Sequence, residues 1–180
     1  MRQRTMRGKP WLLACFAAAL ACSPAVFAPA AFADSGDHDV SGDEAFVAVA
    51  AQAELGEIEL SRIAVDSATS PEIRNFAAKM IEEHAASNAE LDQIAANENI
   101  PLPIAPDSDH LQLRDKLIAL RGRDLDKTYM ELMRTDHQKM VDFLSAASST
   151  VGTDDLRNFI KKTLPIVQRH LRMAQELETG

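Results

Sequence analysis

The sequence predicts an all-α domain built on four long helices, and three observations carry that reading. Apolar residues recur at three-, four- and seven-residue spacings through four segments of about 25 residues each. Two of those segments open on matching signals, Ser70-Pro71-Glu72-Ile73-Arg74-Asn75-Phe76 and Thr153-Asp154-Asp155-Leu156-Arg157-Asn158-Phe159, so the helices read as two copies of one hairpin. Between the copies lies a connector of about 25 residues, interrupted by Pro101, Pro103 and Pro106 and long enough to travel the length of a bundle. Two similar hairpins joined by one long crossover imply a four-helix bundle of the ferritin-like type, with a short extra helix in the crossover.

The N-terminus comes before any of this. Arg2, Arg4, Arg7 and Lys9 precede an apolar run from Trp11 to Leu20 and a small-residue end at Ala31-Phe32-Ala33. That is the layout of a secretory signal peptide, residues 1–33, cleaved after Ala33. Ala19-Leu20-Ala21-Cys22 loosely resembles a lipobox, which makes lipid anchoring at Cys22 the lesser alternative. Both cysteines, Cys15 and Cys22, leave with the leader, so the 147 remaining residues must fold in an oxidising compartment on their core alone. They keep 15 of the 19 basic residues and all 27 acidic ones, a formal charge of −12. Such acidity argues against nucleic acid or anionic lipid as a partner, and the mature chain has no transmembrane segment.

Residues 34–42 form a polar linker with nothing to bury, and His38 sits in it as part of a solvated tail. The bundle is expected over 43–178. Ser41-Gly42-Asp43-Glu44 reads as a capping box for the first helix, whose inward stripe is Phe46, Val49, Ala50, Ala53, Glu57, Leu60 and Ala64. Glu54 falls on its flank, and Gly56 marks a close backbone approach. Ser70 caps the second helix, which turns Phe76, Ala77, Met80, His84, Leu91 and Ala95 inward and ends near Asn97. Asp107 to Asp109 cap the short crossover helix, in which Leu113, Leu117 and Leu120 share a face and which Gly122 ends. The third long helix covers about residues 124–149, with Leu125, Tyr129, Leu132, Met133, His137, Met140, Leu144 and Ala147 inward. The fourth follows Thr153, with Leu156, Ile160, Thr163, Val167, His170, Ala174 and Leu177 inward and Pro165 kinking it.

Several blocks together resemble a known family: Ala51-Gln52-Ala53-Glu54-Leu55-Gly56-Glu57-Ile58-Glu59-Leu60, Phe76 to His84, Asp126-Lys127-Thr128-Tyr129-Met130 leading to Asp136-His137-Gln138-Lys139, and Leu164-Pro165 before His170. The family consists of bacterial exported domains of unknown function, described as outer-membrane or periplasmic and grouped with the ferritin-like superfamily. The resemblance implies the fold and the address, and it brings no reaction. Leu125 stands where the family pattern has Phe.

Each long helix carries one polar group in its apolar stripe: Glu57, His84, His137 and His170. At about 1.5 Å per residue, Glu57 and His84 lie about 18 and 21 Å from the first hairpin turn, and His137 and His170 about 20 and 26 Å from the second. The first three share a level near mid-bundle, with His170 one turn out. A Glu, His, His, His set suits zinc or iron, and copper less so. Met80, Met133, Met140 and Met173 near the histidines would favour Cu(I), but methionine is ordinary core filler. The Glu-x-x-His pairs of a di-iron site are absent, because Ile81, Arg134 and Val167 stand three residues before the histidines. His110 is expected at the surface.

No cysteine nucleophile, phosphate loop or Ser/His motif supports an enzyme. Two readings stay open. One is an exported metal-binding bundle. The other is a non-enzymatic envelope or stress-related module, with a protein partner or a second copy of itself, in which a buried His/Glu network involving Glu57, Glu83 and Asp136 is purely structural.

Overall fold

The computed structural model of the chain describes residues 42–179. The leader, the Cys22 alternative, the linker as far as Ser41, and Ser41's part in the capping box lie outside the described residues. Within them are five helices and no strand: α1 (Gly42–Ser67), α2 (Pro71–Glu98), α3 (Ser108–Ala119), α4 (Gly122–Ala147) and α5 (Asp154–Thr179).

The helix boundaries follow local chemistry. Ser70 Oγ accepts from the Ile73 amide at 3.2 Å and Pro71 opens α2 without an amide to satisfy. Asn99, left-handed at φ 57°, stops it. Asp107 caps α3 by accepting from the Asp109 and His110 amides, both at 2.9 Å. Gly122 does not end that helix as its position suggests; Leu120 caps α3, and Gly122, at φ +60°, begins α4. Helix α5 continues without a break through Pro165, which is exposed.

Inward residues collect in two separate apolar clusters. One holds Phe46, Val47, Ala50, Ala51, Leu91, Ile94, Ala95, Leu144, Ala147, Leu156, Phe159 and Ile160. The other holds Leu60, Ala64, Phe76, Ala77, Met80, Leu117, Leu125, Tyr129, Met130, Met133 and Ala174. Their order along the chain gives the helix directions: α1 runs from the first cluster to the second, α2 returns, α4 runs from the second to the first, and α5 returns. Helix α2 therefore ends at the opposite end from the start of α4, and residues 99–121 cross that length. Ile100 and Leu102 pack at the first cluster and Leu117 at the second. The crossover places α3 against α1.

One stripe is rotated from its expected phase. Val49 is 47 % exposed, whereas Val47 is fully buried, and Ala51, Glu54, Ile58 and Ser61 are buried with it. Helix α1 carries alanine on almost every side between Ala45 and Ala53, so periodicity fixes its face poorly there. Ser61 Oγ lies 2.9 Å from the buried Tyr129 hydroxyl, giving that hydroxyl the partner it requires.

The sequence repeat is also a repeat of structure. Arg74 Nη1 donates to the carbonyls of Ala68 and Thr69 at 2.6 and 3.0 Å, and Arg157 Nη1 to those of Val151 and Gly152 at 2.8 and 3.0 Å. Thr153 Oγ1 caps Leu156 N at 3.3 Å as Ser70 caps Ile73. Each hairpin turn is then held by an aspartate from the other hairpin. Asp126, at the start of α4, accepts from Thr69 N at 2.8 Å, Ser70 N at 3.0 Å and the Thr69 hydroxyl. Asp43, at the start of α1, accepts from Gly152 N at 2.7 Å.

Burial alone would raise the Asp126 pKa, but the Thr69 and Ser70 donors outweigh it and hold the carboxyl below its ordinary value. Its stabilising contribution is therefore present above the unfolded pKa of about 3.9 and is lost as pH falls through the folded value. Asp126→Ala is expected to cost about 2 kcal/mol at pH 7 by chemical denaturation, with the gap from wild type shrinking below about pH 4. An unchanged stability at pH 7, or a gap of the same size at pH 3, would contradict the clasp.

Candidate metal centre

Between the two apolar clusters every long helix turns polar groups inward at mid-length: Glu54 and Glu57 from α1, His84 from α2, His137 from α4 and His170 from α5. The clasped turns set these helices in register, which is why groups far apart in sequence meet at one level. The three imidazoles form a nearly equilateral triangle, with ring centroids 5.4, 5.4 and 5.3 Å apart. One ring nitrogen of each lies within 4.8 Å of one from each of the others. His170, expected a turn away, is at this level.

The other nitrogen of each ring is held by an acceptor. His84 Nδ1 lies 2.5 Å from Glu54 Oε2, and Glu54 Oε1 in turn accepts from Ser87 Oγ at 2.7 Å. His137 Nδ1 donates to the Met133 carbonyl at 2.8 Å. His170 Nε2 donates to Glu83, which also receives Lys79 at 2.8 Å and Arg169 at 2.7 Å. A carbonyl or a carboxylate only accepts, so each of these nitrogens carries a proton. In the neutral rings the lone pairs are then on His84 Nε2, His137 Nε2 and His170 Nδ1. His170 Nδ1 is buried with no partner, and His84 Nε2 and His137 Nε2 are 3.4 Å apart.

Two lone pairs at that separation repel unless a positive centre lies between them. Two imidazole nitrogens on one tetrahedral zinc, each about 2.05 Å from it, are about 3.3 Å apart. Anchoring the outer nitrogen on a carboxylate or carbonyl is also how ligating histidines are oriented and made more basic. The electrostatics favour a free lone pair on two of the three rings. Burial drives His137 well below the ordinary imidazole range, helped by the other two histidines. Burial lowers His170 to about 4 despite its hydrogen bond to Glu83. Burial also opposes the charge on His84, but Glu54 beside it, with Glu57 and Glu83, outweighs that and raises its pKa. Glu83 is held at about 2: its desolvation is overcome by the Lys79, His170 and Arg169 donors.

Glu57 is buried close by but does not join the triangle. Its Oε1 approaches His137 on the Nδ1 side, at 3.8 Å, and its carboxylate groups instead with His110 and Asp136. Burial raises its pKa to about 8. His110, expected at the surface, is half-buried with its ring lying over Gly56, which is the close approach that glycine signalled. Glu54, the partner of His84, was legible only in the alternative phase of α1, where it follows Val47 by seven and Ala50 by four residues. Two cavities of about 250 Å³ each have His84 and Glu54 in their walls, one of them also lined by His137 and the other by His170.

The family profile for the domain of unknown function DUF4142 matches residues 28–177. The chain belongs to the DUF4142 family. No curated protein matches it in sequence. Among solved structures it resembles a DUF305 protein from Streptomyces coelicolor, provisionally described as secreted, at TM-score 0.67 and 17 % identity over 76 % of this chain and 90 % of that one. It also resembles a DUF305 fragment from Deinococcus radiodurans, at TM-score 0.68 and 11 % identity over 76 % and 95 %. At these identities the likeness is one of fold. The all-helical fold expected from the sequence is shared with them, and among the described residues of this DUF4142 chain no helix is long and apolar enough to cross a membrane.

Because Glu54 raises the His84 pKa, metal-free protein gains stability from a charged His84 below the unfolded imidazole value of about 6.5, and loses it as pH rises through the folded value. Glu54→Gln should lower the His84 pKa, read by NMR titration of the metal-free protein. An unchanged titration would show that Glu54 does not set the state of His84.

Proposed function

We propose that this chain is an exported protein of ferritin-like four-helix architecture that holds one transition-metal ion between His84, His137 and His170. The observation that carries the reading is the convergence of three imidazole lone pairs in a buried space, each ring fixed from behind by an acceptor. Three neutral nitrogens suit zinc or iron, and the anionic Glu54 and Glu83 behind two of them help to balance a divalent charge. The thioethers that would draw Cu(I) have apolar packing as their role: Met80 and Met133 are core residues of the second apolar cluster, Met173 packs against it, and Met140 packs against the first. Three protein ligands leave a coordination position for water or a small ligand, yet the chain offers no group that commits the site to a reaction, and none is assigned. Glu57 stands behind His137 and is not counted among the ligands in this reading. The basic, apolar and small-residue order of residues 1–33, together with the description of the Streptomyces coelicolor protein as secreted, supports export.

A second reading has a specific observation in its favour. The raised pKa of His84 permits an imidazolium whose Nε2 proton bridges to His137 Nε2 at 3.4 Å, a structural network with a proton in place of the metal. It leaves His170 Nδ1 unsatisfied, which the metal reading does not.

Elemental analysis of the protein produced with its own N-terminus and no affinity tag is expected to find about one equivalent of zinc or iron. His84→Ala and His170→Ala should abolish it and keep the helical circular-dichroism spectrum. A metal-free wild type that takes up neither Zn(II) nor Fe(II) on incubation would overturn the metal reading in favour of the network.

A further inference from the structure

A second group of side chains meets where α3 lies over α1 and α4. Glu57 from α1, His110 from α3 and Asp136 from α4 each offer a ligand atom, and these atoms lie within 4.8 Å of one another. All three side chains have a buried atom with no hydrogen-bond partner: Glu57 Oε2, His110 Nε2 and Asp136 Oδ2. Glu57 is only 5 % exposed, so its unpaired oxygen has no recourse to solvent. The remaining atoms are engaged in ways that fix their roles. Asp107 accepts from the His110 amide and from His110 Nδ1 at 2.7 Å, so Nδ1 carries the proton and Nε2 offers a lone pair. Asp136 Oδ1 accepts from Lys139 Nζ at 2.8 Å, leaving Oδ2 for the group.

These three atoms lie in the wall of one cavity, and a proton held on the Glu57 carboxyl can serve one of its neighbours but not both. A cation in place of that proton satisfies all three. The position is also built. A Cβ at Gly56 would come within 2.2 Å of the His110 ring, so glycine there is what allows the imidazole to lie against α1. Asp107, as the cap of α3, both starts the helix that carries His110 and orients its ring, the arrangement that holds ligating histidines elsewhere.

We propose that Glu57, His110 and Asp136 form a second cation site, separate from the three histidines, that takes a divalent first-row ion. Two carboxylates and one imidazole are a harder donor set than three imidazoles, so this site favours Mn(II) where the other favours zinc or iron. It joins α3 to α1 and α4, and a bound ion there ties the crossover to the helices it covers. Because its ligands share no residue with the triangle, each site can fail without the other.

The test is an Mn(II) titration of the whole protein, followed by loss of the free-ion electron paramagnetic resonance signal. Wild type is expected to bind one Mn(II). His110→Gln and Asp136→Asn should each weaken binding tenfold or more, as should Gly56→Ala, which displaces the ring without touching a ligand. Zinc uptake by the triangle should persist in all three, which also shows that they fold. His84→Ala and His170→Ala should leave Mn(II) binding unchanged. Absence of Mn(II) binding in wild type, binding indifferent to both His110→Gln and Asp136→Asn, or binding lost with His84 would overturn the second site, the first and second of these outcomes leaving a buried water as the occupant.

Discussion

A layer of imidazoles and carboxylates divides the apolar interior into two clusters, and each helix has to satisfy its share of that layer while still packing at both ends. An unpaired buried polar group costs on the order of 1–3 kcal/mol, so the layer is stable only if its groups serve one another or an ion. The outward half of that requirement is met within the protein: Glu54, the Met133 carbonyl and Glu83 each accept a hydrogen bond from one imidazole N–H. The inward half is left as three nitrogen lone pairs around one space. The same constraint shapes the rest of the molecule, since four helices can bring mid-length groups together only if their relative heights are fixed.

That height control comes from the hairpin turns. Arg74 and Arg157 fold each turn onto itself through equivalent pairs of carbonyls, and Asp126 and Asp43 tie each turn to the first turns of the opposite hairpin. The two clasps sit at opposite ends of the helices, one by each apolar cluster, so neither hairpin can slide along the other without breaking one of them. Sliding by a single helical turn would move a histidine about 5.4 Å, as far as the ring spacing within the triangle. Local capping chemistry thus positions a site that lies about three to five turns away from it.

Much of this was legible in the sequence. Helix number, the paired hairpins and the crossover followed from periodicity, caps and prolines, and the matching Arg-Asn-Phe triplets marked the turns that the structure shows to be equivalent. His84, His137 and His170 stood out because a lone imidazole in an otherwise apolar stripe is conspicuous. What stayed hidden had physical reasons. The alanines of α1 gave its face no clear phase, so Val49 was read as buried and Glu54 as flanking. His170 lay one turn out by rise alone, since residue counting measures each helix from its own turn and cannot include how the four are set against each other. His110 looked solvent-exposed because its depth depends on the crossover laying α3 across Gly56, a contact between segments more than 50 residues apart that only the fold creates.

The claim on which the rest turns is that a metal ion belongs among the three inward nitrogens. The most direct measurement is anomalous diffraction from a crystal of the zinc-loaded protein. The geometry predicts one strong peak about 2.0–2.1 Å from His84 Nε2, His137 Nε2 and His170 Nδ1, with the hydrogen bonds to Glu54, Met133 and Glu83 retained. No peak among the three rings, in a crystal where those outward hydrogen bonds are intact, would contradict it and leave the polar layer a structural network held by a proton.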